Sequence, residues 1–470
     1  MPLPTRAQSR PLALAVSFAF GASAQAATII VTHGGDLGTA NTCNLRQAIT
    51  SANLDAAGTS NCVSGSGADT ITFAAALANS TITLAGSQLD VTAPLTIDGS
   101  GQTIDANLAS RVMYVQYSAL TASKLNFTYG DAGTGLGGGI AVVGGTLALS
   151  AATISASKAG AGAGIYAVNL STVSLTDSAV SANTATTGGG LDIRAGSSLA
   201  LTDSIVSGNV SQRGGGVFVS QGGTIAIKRS TISYNTVVSS GPSGAGAYGD
   251  QCTIMTVIDS TIADNTSNHQ GAGMLVYNCP LTMVNVTVSE NTALDAAGGG
   301  IYVEFGSAAL VNSTISGNSA HDSGGLRVYQ ATVTLDNTIA SANIATNAAS
   351  VATRDLGQGP FASVAAHYSL LGSALNVAPF NAGANHNVFS NSPGLGNLQD
   401  NGGPTRTMAL ASNSPAVDAG SKALALSAGK PLNYDQRTLP WLRLFDDKVD
   451  IGAFEYQGDR IFAAIFEPLP

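Results

Sequence analysis

The sequence predicts an all-β protein built as a right-handed parallel β-helix, in which each coil of about 26 residues contributes three short strands. Glycine clusters recur at steps of 25 to 30 residues, and so does an asparagine that ends a Ser-x-Ile/Val-Ser-x-Asn run. Only 10% of the residues are charged and 56 of 470 are glycine, a composition that disfavours a helical bundle. Right-handedness follows from the strong bias of parallel crossover connections.

The two repeating signals keep one register. The last glycine of each cluster is Gly139, Gly164, Gly190, Gly216, Gly246, Gly273, Gly300 and Gly325, and the asparagines are Asn183, Asn209, Asn235, Asn265, Asn291, Asn318 and Asn343. Both series take their 30-residue step at the same place, so one loop insertion near residues 239–244 explains both. These signals mark eight coils.

Each repeat alternates apolar and polar residues over three short runs separated by Gly, Asn and Ser, the pattern of strands joined by turns. Glycine and asparagine accept the left-handed conformations that sharp turns need. The asparagines are expected to stack and to hydrogen-bond from coil to coil. An inward column is expected to fill the core: Val180, Val206, Ile232, Ile262, Val288 and Ile315.

Residues 1–26 have the features of a secretory signal peptide, with Arg6 and Arg10 before an apolar run and Ala24-Gln25-Ala26 as a cleavage site. No later run is long and apolar enough to predict a transmembrane helix. Asn44 and Gln47 begin a predicted amphipathic helix that is expected to cap the first coil and to stop by Gly58.

Four cysteines allow three disulfide connectivities. Cys252 and Cys279 each lie six residues after the last glycine of their own repeat, so they are expected to lie one above the other and to form a disulfide. The same register leaves Cys43 and Cys62 as the second pair.

The segment Cys43-Asn44-Leu45-Arg46-Gln47-Ala48-Ile49 resembles the CSLREA-type N-terminal segment of bacterial exported β-helix proteins. Near the other end, Ser414-Pro415-Ala416-Val417-Asp418-Ala419-Gly420, Asp435-Gln436-Arg437 and Asp450-Ile451-Gly452-Ala453-Phe454-Glu455 are similar to a choice-of-anchor Q domain. The repeats themselves resemble those of polymorphic outer membrane proteins. The resemblance implies an exported or cell-surface bacterial protein, divided into a signal peptide (1–26), an N-terminal cap (27–69), a β-helix (70–350), a Q-like segment (351–456) and a C-terminal tail (457–470).

The strand after each glycine cluster is the predicted binding face. Its outward positions carry aromatic residues that could stack on successive sugar rings of a polysaccharide or cell-surface glycan: Tyr166, Phe218, Tyr248, Tyr277, Tyr302 and Tyr329. A solvated sheet face, whose tyrosines merely suit β-structure, is the alternative. The charged residues of the same face are the candidates for catalysis on polysaccharide: Asp192, Asp250, Glu304 and Arg327. Asp250 and Glu304 lie two coils apart in one column, near the upper end of the carboxylate spacing of inverting glycosidases.

A second column of turn residues comprises Asp177, Asp203, Arg229, Asp259, Asn285, Asn312 and Asp336. A calcium site there is one interpretation, and a ladder of turn residues in which Arg229 bridges Asp203 and Asp259 is the other. No cofactor and no other metal is predicted.

The net charge of −9 disfavours nucleic acid as a partner. We therefore expect a secreted or surface-exposed, monomeric adhesion or binding rod for glycans. A polysaccharide lyase or glycoside hydrolase, and a structural spacer of the envelope or matrix, are the alternatives.

Overall fold

A computed structural model describes residues 26–56, 60–239, 241, 243–373 and 384–458. Nearly all described strands belong to three parallel sheets, each of which runs from coil to coil. The predicted parallel β-helix is therefore confirmed. The predicted signal peptide, apart from Ala26, and residues 459–470 of the predicted tail lie outside the described residues.

The strands that follow the glycine clusters form the first sheet, called sheet I. Its eleven strands exceed the eight coils recognised in the sequence, because the coils at each end lack a glycine cluster. The strands are Leu89–Val91, Met113–Gln116, Ile140–Val143, Ile165–Val168, Leu191–Ile193, Val217–Ser220, Ala247–Asp250, Met274–Tyr277, Ile301–Glu304, Leu326–Tyr329 and Leu356–Gln358.

Because a coil can have four strands and not the three predicted, sheet II contains two strands of most coils, which merge into one long strand in several places. Its strands are Thr28–Val31, Asp69–Phe73, Thr81–Thr83, Leu95–Asp105, Ala119–Thr128, Thr146–Ser150, Thr153–Ser155, Thr172–Thr176, Ala179–Ser181, Ser198–Thr202, Ile205–Ser207, Thr224–Lys228, Thr231–Ser233, Ile254–Ala263, Pro280–Ser289, Ser307–Val311, Thr314–Ser316, Thr332–Asp336, Ile339–Ala340, Ser363–His367, Leu370–Leu371 and Val388–Phe389. Coil pairing thus continues to Phe389, past the predicted boundary at residue 350.

Sheet III is short-stranded and joins the end of each Ser-x-Ile/Val-Ser-x-Asn run to the next glycine cluster. Its strands are Lys158–Ala161, Thr184–Thr187, Val210–Ser211, Thr236–Val237, Thr266–Ser267, Thr292–Ala297, Ser319–Asp322 and Ile344–Ala345. Outside the three sheets lie two antiparallel hairpins, Leu395–Gln399 with Thr407–Leu410 and Leu426–Ser427 with Lys430–Pro431. Short 3-10 helices span Ala75–Leu77, Ala348–Thr353 and Ala384–His386.

The core inside the coils is apolar, and the predicted inward column is buried from Val180 to Ile315. Beside it, the predicted asparagine ladder is confirmed. In each step from Asn183 to Asn343 the backbone N–H and the side-chain amide of one asparagine both donate to the Oδ1 of the next, at 2.9 to 3.1 Å. The ladder ends on Asp355, whose Oδ1 accepts both donors of Asn343.

The predicted N-terminal helix spans Leu45–Leu54, and its capping box is formed by Asn44 and Gln47. It ends before Gly58 because Asp55 takes the left-handed conformation, with φ of 50°. Strand Thr28–Val31 pairs in parallel with Asp69–Phe73, so the cap segment is hydrogen-bonded to the first coil. The buried face of the helix closes the apolar core at this end of the solenoid.

Both expected disulfides are present. Cys43 pairs with Cys62 in the cap, and Cys252 pairs with Cys279 on adjacent coils, with 4.8 Å and 4.9 Å between the respective Cα atoms. Because disulfides persist mainly in oxidising compartments, the two bonds fit a protein that lies outside the cytoplasm.

The segment after Phe389, called the C-terminal segment, folds back along the outer side of sheet II. Gln436 contacts two successive coils, since its amide donates to Thr261 and accepts from Thr287, and Gly452 donates to the Asn337 carbonyl. Between segment and coils lies a second apolar cluster made of Ile339, Leu370, Leu410, Ala416, Ile451 and Phe454. The motifs around Asp435 and Asp450 therefore attach this segment to the coils.

Candidate functional site

Strand pairing in sheet I places the predicted binding and catalytic residues in two columns on its outer side. The first column runs in register through Tyr166, Asp192, Phe218, Tyr248, Leu275, Tyr302 and Arg327. The second runs through Ser220, Asp250, Tyr277, Glu304 and Tyr329.

The aromatic rings of the first column are outside the coil core, yet they are largely buried. Phe218, Tyr248 and Tyr302 are at most 6% exposed and pack with Leu275 into a cluster of their own, and Tyr166 is 5% exposed. Little of these rings is therefore available to a ligand.

The loop that precedes each strand covers the first column, and this explains the glycine that begins the cluster. Gly214 and Gly271 have φ of +64° and +62°, and a Cβ on either would lie within 2.8 Å of the Cβ atom of Phe218 or Leu275 respectively. A side chain at these positions would collide with the column that the loop covers. Both the backbone conformation and the close approach therefore require glycine.

Asp192 is part of a closed ion pair. Its carboxylate is fully buried and accepts two hydrogen bonds from Arg194, both at 2.7 Å, and one from Thr187 at 2.8 Å. Burial raises the pKa of Asp192, and the hydrogen bond from Arg194 acts in the opposite direction. Arg194 in turn lies 5.8 Å and 5.5 Å from the ring centres of Tyr166 and Phe218.

Arg213, which the sequence interpretation missed, forms the wall of a polar cavity. Its guanidinium lies 5.8 Å from the centre of the Phe218 ring, 3.3 Å from the Tyr248 hydroxyl and 3.5 Å from the Asp250 carboxylate. The cavity has a volume of about 310 Å³ and is lined by Thr187, Arg194, Arg213, Phe218, Ser220, Gln221, Asp250 and Gln251. Arg213 immediately precedes a glycine cluster, and this position at the edge of the covering loop is the sequence feature that could have identified it.

The second column continues from this cavity towards the C-terminal coils. Asp250 and Glu304 are two rungs apart, about 10 Å between backbones, and Tyr277 lies between them. Burial raises the pKa of both carboxyl groups, and Arg213 partly offsets the effect on Asp250. Tyr277 and Tyr329 are half-buried, and each packs edge-on against the exposed ring of Phe305.

Burial also raises the pKa values of Tyr248 and Tyr302 to about 12, so both hydroxyls stay protonated at neutral pH. Arg327 lies one rung beyond Tyr302, is half-buried, and pairs in register with Gly357. Asp192 lies two rungs before the strand of Asp250, whereas Arg327 lies on the strand next to that of Glu304. The salt-bridge partner of Asp192 is Arg194, and that of Asp250 is Arg213.

The second candidate region, the column of turn residues, needs one correction. The strand containing Val311 pairs in register with the strand ending at Asp336, so Asn312 is followed by Asn337 and not by Asp336. The bridge expected at Arg229 is half formed: Arg229 pairs with Asp203 at 2.5 Å.

Asp259, the other expected partner of Arg229, instead accepts from Asn285 at 3.0 Å. The C-terminal segment covers this part of the column, where the Arg443 guanidinium donates to Asn285. Among the described residues, no group of three or more His, Cys, Asp or Glu side chains could hold a metal ion. Within the same ranges, no helix is long and apolar enough to cross a membrane.

The fold and the stacked columns define a right-handed parallel β-helix repeat protein. A family model described as a right handed beta helix region matches residues 163–350 and 215–396, which include the cavity and both columns. No curated protein matches the chain.

Proposed function

We propose that the protein is a secreted or cell-surface binding rod that holds a glycan on the outer side of sheet I. The polar cavity beside Phe218 carries this proposal, because its lining combines charged and amide hydrogen-bonding groups with an aromatic residue. The row of Asp250, Tyr277, Glu304 and Tyr329 extends the cavity along the rod, so that a chain of sugar units could contact successive coils. The protein is an exported monomer, and residues 351–456, which include most of the C-terminal segment, are its choice-of-anchor Q-like part.

The experiment is retention of the protein on a panel of immobilised plant, algal and bacterial polysaccharides. Arg213→Ala and Tyr277→Ala are expected to weaken retention about tenfold or more, since each removes a contact worth about 1.4 kcal/mol or more. Arg229→Ala and Tyr234→Asn are matched controls, because both residues are at turns away from sheet I and Tyr234 is 58% exposed. Equal retention of all four variants and the parent would contradict a site on sheet I.

A polysaccharide lyase or glycoside hydrolase is the second candidate, because Asp250 and Glu304 share a column and burial raises both of their pKa values. New reducing ends or unsaturated products, abolished by Asp250→Asn or Glu304→Gln, would support this activity over binding alone. If the protein neither were retained on a polysaccharide nor released products from one, a structural spacer would be favoured.

A further inference from the structure

A second cavity lies on the other side of the molecule, between the last coils and the C-terminal segment. Its volume is about 520 Å³, and its walls are Asp336, His367, Tyr368, Asn385, His386, Ser421, Ala423 and Leu424. Neither the binding face of sheet I nor the apolar cluster that attaches the C-terminal segment uses this cavity.

One wall is an oriented pair of polar side chains. Asp336 and His367 are neighbours in register on adjacent coils, and the carboxylate Oδ1 lies 2.8 Å from the imidazole Nδ1. In neutral histidine, an Nδ1–H that donates to the carboxylate leaves Nε2 as an acceptor for a ligand hydroxyl.

The adjacent wall is an aromatic platform. Tyr368 follows Asn337 in the turn column, where the preceding members have polar or charged side chains. Its ring stacks on the ring of His386, with 4.5 Å between the ring centres and 20° between the planes. Both residues have positive φ, 47° and 57°. Other large residues, such as Tyr234 and Phe305, take this conformation at turns of the chain as well, so the stacking of the two rings, and not their backbone conformation, marks the platform.

The C-terminal segment supplies the remaining walls. The backbone of Ser421 is fixed by two hydrogen bonds with the Asn337 side chain, at 2.7 Å and 2.9 Å, and the apolar side chains of Ala423 and Leu424 follow it. The cavity therefore has aromatic and aliphatic surface together with a polar edge of carboxylate, imidazole, amide and hydroxyl groups.

We propose that this cavity binds one ring of an uncharged sugar. A sugar ring has an apolar C–H face that suits an aromatic platform, and hydroxyls around its edge that suit the polar wall. No Lys or Arg is among the described residues that line the cavity, which disfavours an anionic ligand. The site is separate from the one on sheet I, so the two proposals stand or fall independently.

Saturation-transfer NMR with methyl glycosides of glucose, galactose, mannose and N-acetylglucosamine tests the proposal on the whole protein. We expect at least one glycoside to bind, with the strongest transfer to its ring C–H protons. Tyr368→Asn should weaken this binding tenfold or more while the turn is kept, because Asn285 and Asn337 hold the same column with φ of 54° and 48°. His367→Ala should weaken it as well.

The matched control is Tyr234→Asn, which removes an exposed tyrosine with φ of 57° from another turn and should leave the binding unchanged. Circular dichroism of each variant shows whether the fold is kept. Absence of transfer to every glycoside would overturn the proposal, and so would transfer that persists in folded Tyr368→Asn when Arg213→Ala has also disabled the site on sheet I. Tighter binding of a sulfated or uronic-acid glycoside at this cavity would overturn the inferred ligand class.

Discussion

Replacing Asn265 by alanine tests how much the asparagine ladder stabilises the coils. The Asn265 side chain is fully buried, and its Oδ1 accepts from both the backbone N–H and the side-chain amide of Asn235. Its own amide donates to Asn291 and to the carbonyls of Ile232 and Ala263. The substitution therefore leaves a buried backbone N–H without its acceptor in the ladder and removes several further hydrogen bonds.

An unsatisfied buried N–H costs about 1–3 kcal/mol and each ordinary hydrogen bond about 1 kcal/mol, so we expect the free energy of unfolding to fall by about 4 kcal/mol. Asn268→Ala is the control, since within the described residues that side chain makes one hydrogen bond, to the Val238 carbonyl at 3.1 Å near the surface, and its loss should cost about 1 kcal/mol or less.

Urea unfolding measures both variants, with far-ultraviolet circular dichroism reporting on the coils and the fluorescence of Trp441 on the C-terminal segment. Coincident transitions from the two probes justify a two-state free energy. If Asn265→Ala lost no more stability than Asn268→Ala, the ladder would be a consequence of coil stacking and not a source of its stability.

Three further perturbations test other parts of the structure. Burial raises the pKa of Asp259 to about 6, above its value in the unfolded chain. Lowering the pH from about 7 to about 5 should therefore increase the free energy of unfolding, because the folded state takes up the proton first. Asp259→Asn should reduce this increase by about 1–2 kcal/mol. A pH profile of urea midpoints that Asp259→Asn leaves unchanged would refute this. Arg229→Asp places a like charge beside Asp203 and should lower the melting temperature more at about 0.02 M salt than at about 0.5 M, whereas an equal drop would argue against electrostatics. Gly271→Ala should destabilise the protein by about 2 kcal/mol more than Gly222→Ala in thermal unfolding. Both glycines have positive φ, but only a Cβ at position 271 would lie within 3 Å of other atoms. Equal losses of stability would mean that backbone strain alone matters.

The coil architecture follows from the sequence because its signals are local and repeated. Glycine and asparagine are required at turns by backbone conformation, and so their spacing gives the number of residues in each coil. The coil containing Leu89–Val91 lies within the predicted β-helix of residues 70–350, but the repeat signals did not mark it because it has no glycine cluster. Asp336 was assigned to the turn column in the position that Asn337 holds, although the local repeat step of 25 residues leads from Asn312 to Asn337, as strand pairing does.

The candidate sites were only partly predictable. Alternation identified the two columns of sheet I, but it does not say that a loop folds over the first column and buries Phe218 and Tyr248. The contribution of Arg213 depends on the reach of a long side chain across that loop, which no periodic pattern describes. The second cavity needs Ser421 beside His367, and their proximity exists only because the C-terminal segment folds back onto the coils.

Asp355 gives the asparagine ladder a direction. Each side-chain amide in the ladder accepts from the preceding asparagine and donates to the next one, in addition to donating to a carbonyl of the preceding coil, so the donor end of the asparagine-to-asparagine array faces Asp355. A carboxylate suits this end for the same reason that acidic groups suit the start of an α-helix. It also accepts from Ser373 with its other oxygen, at 2.7 Å, where an asparagine would have to turn one donor towards another. An extra asparagine coil could therefore be inserted anywhere before Asp355 without breaking the array, whereas a coil added after Asp355 would receive no side-chain hydrogen bond from it.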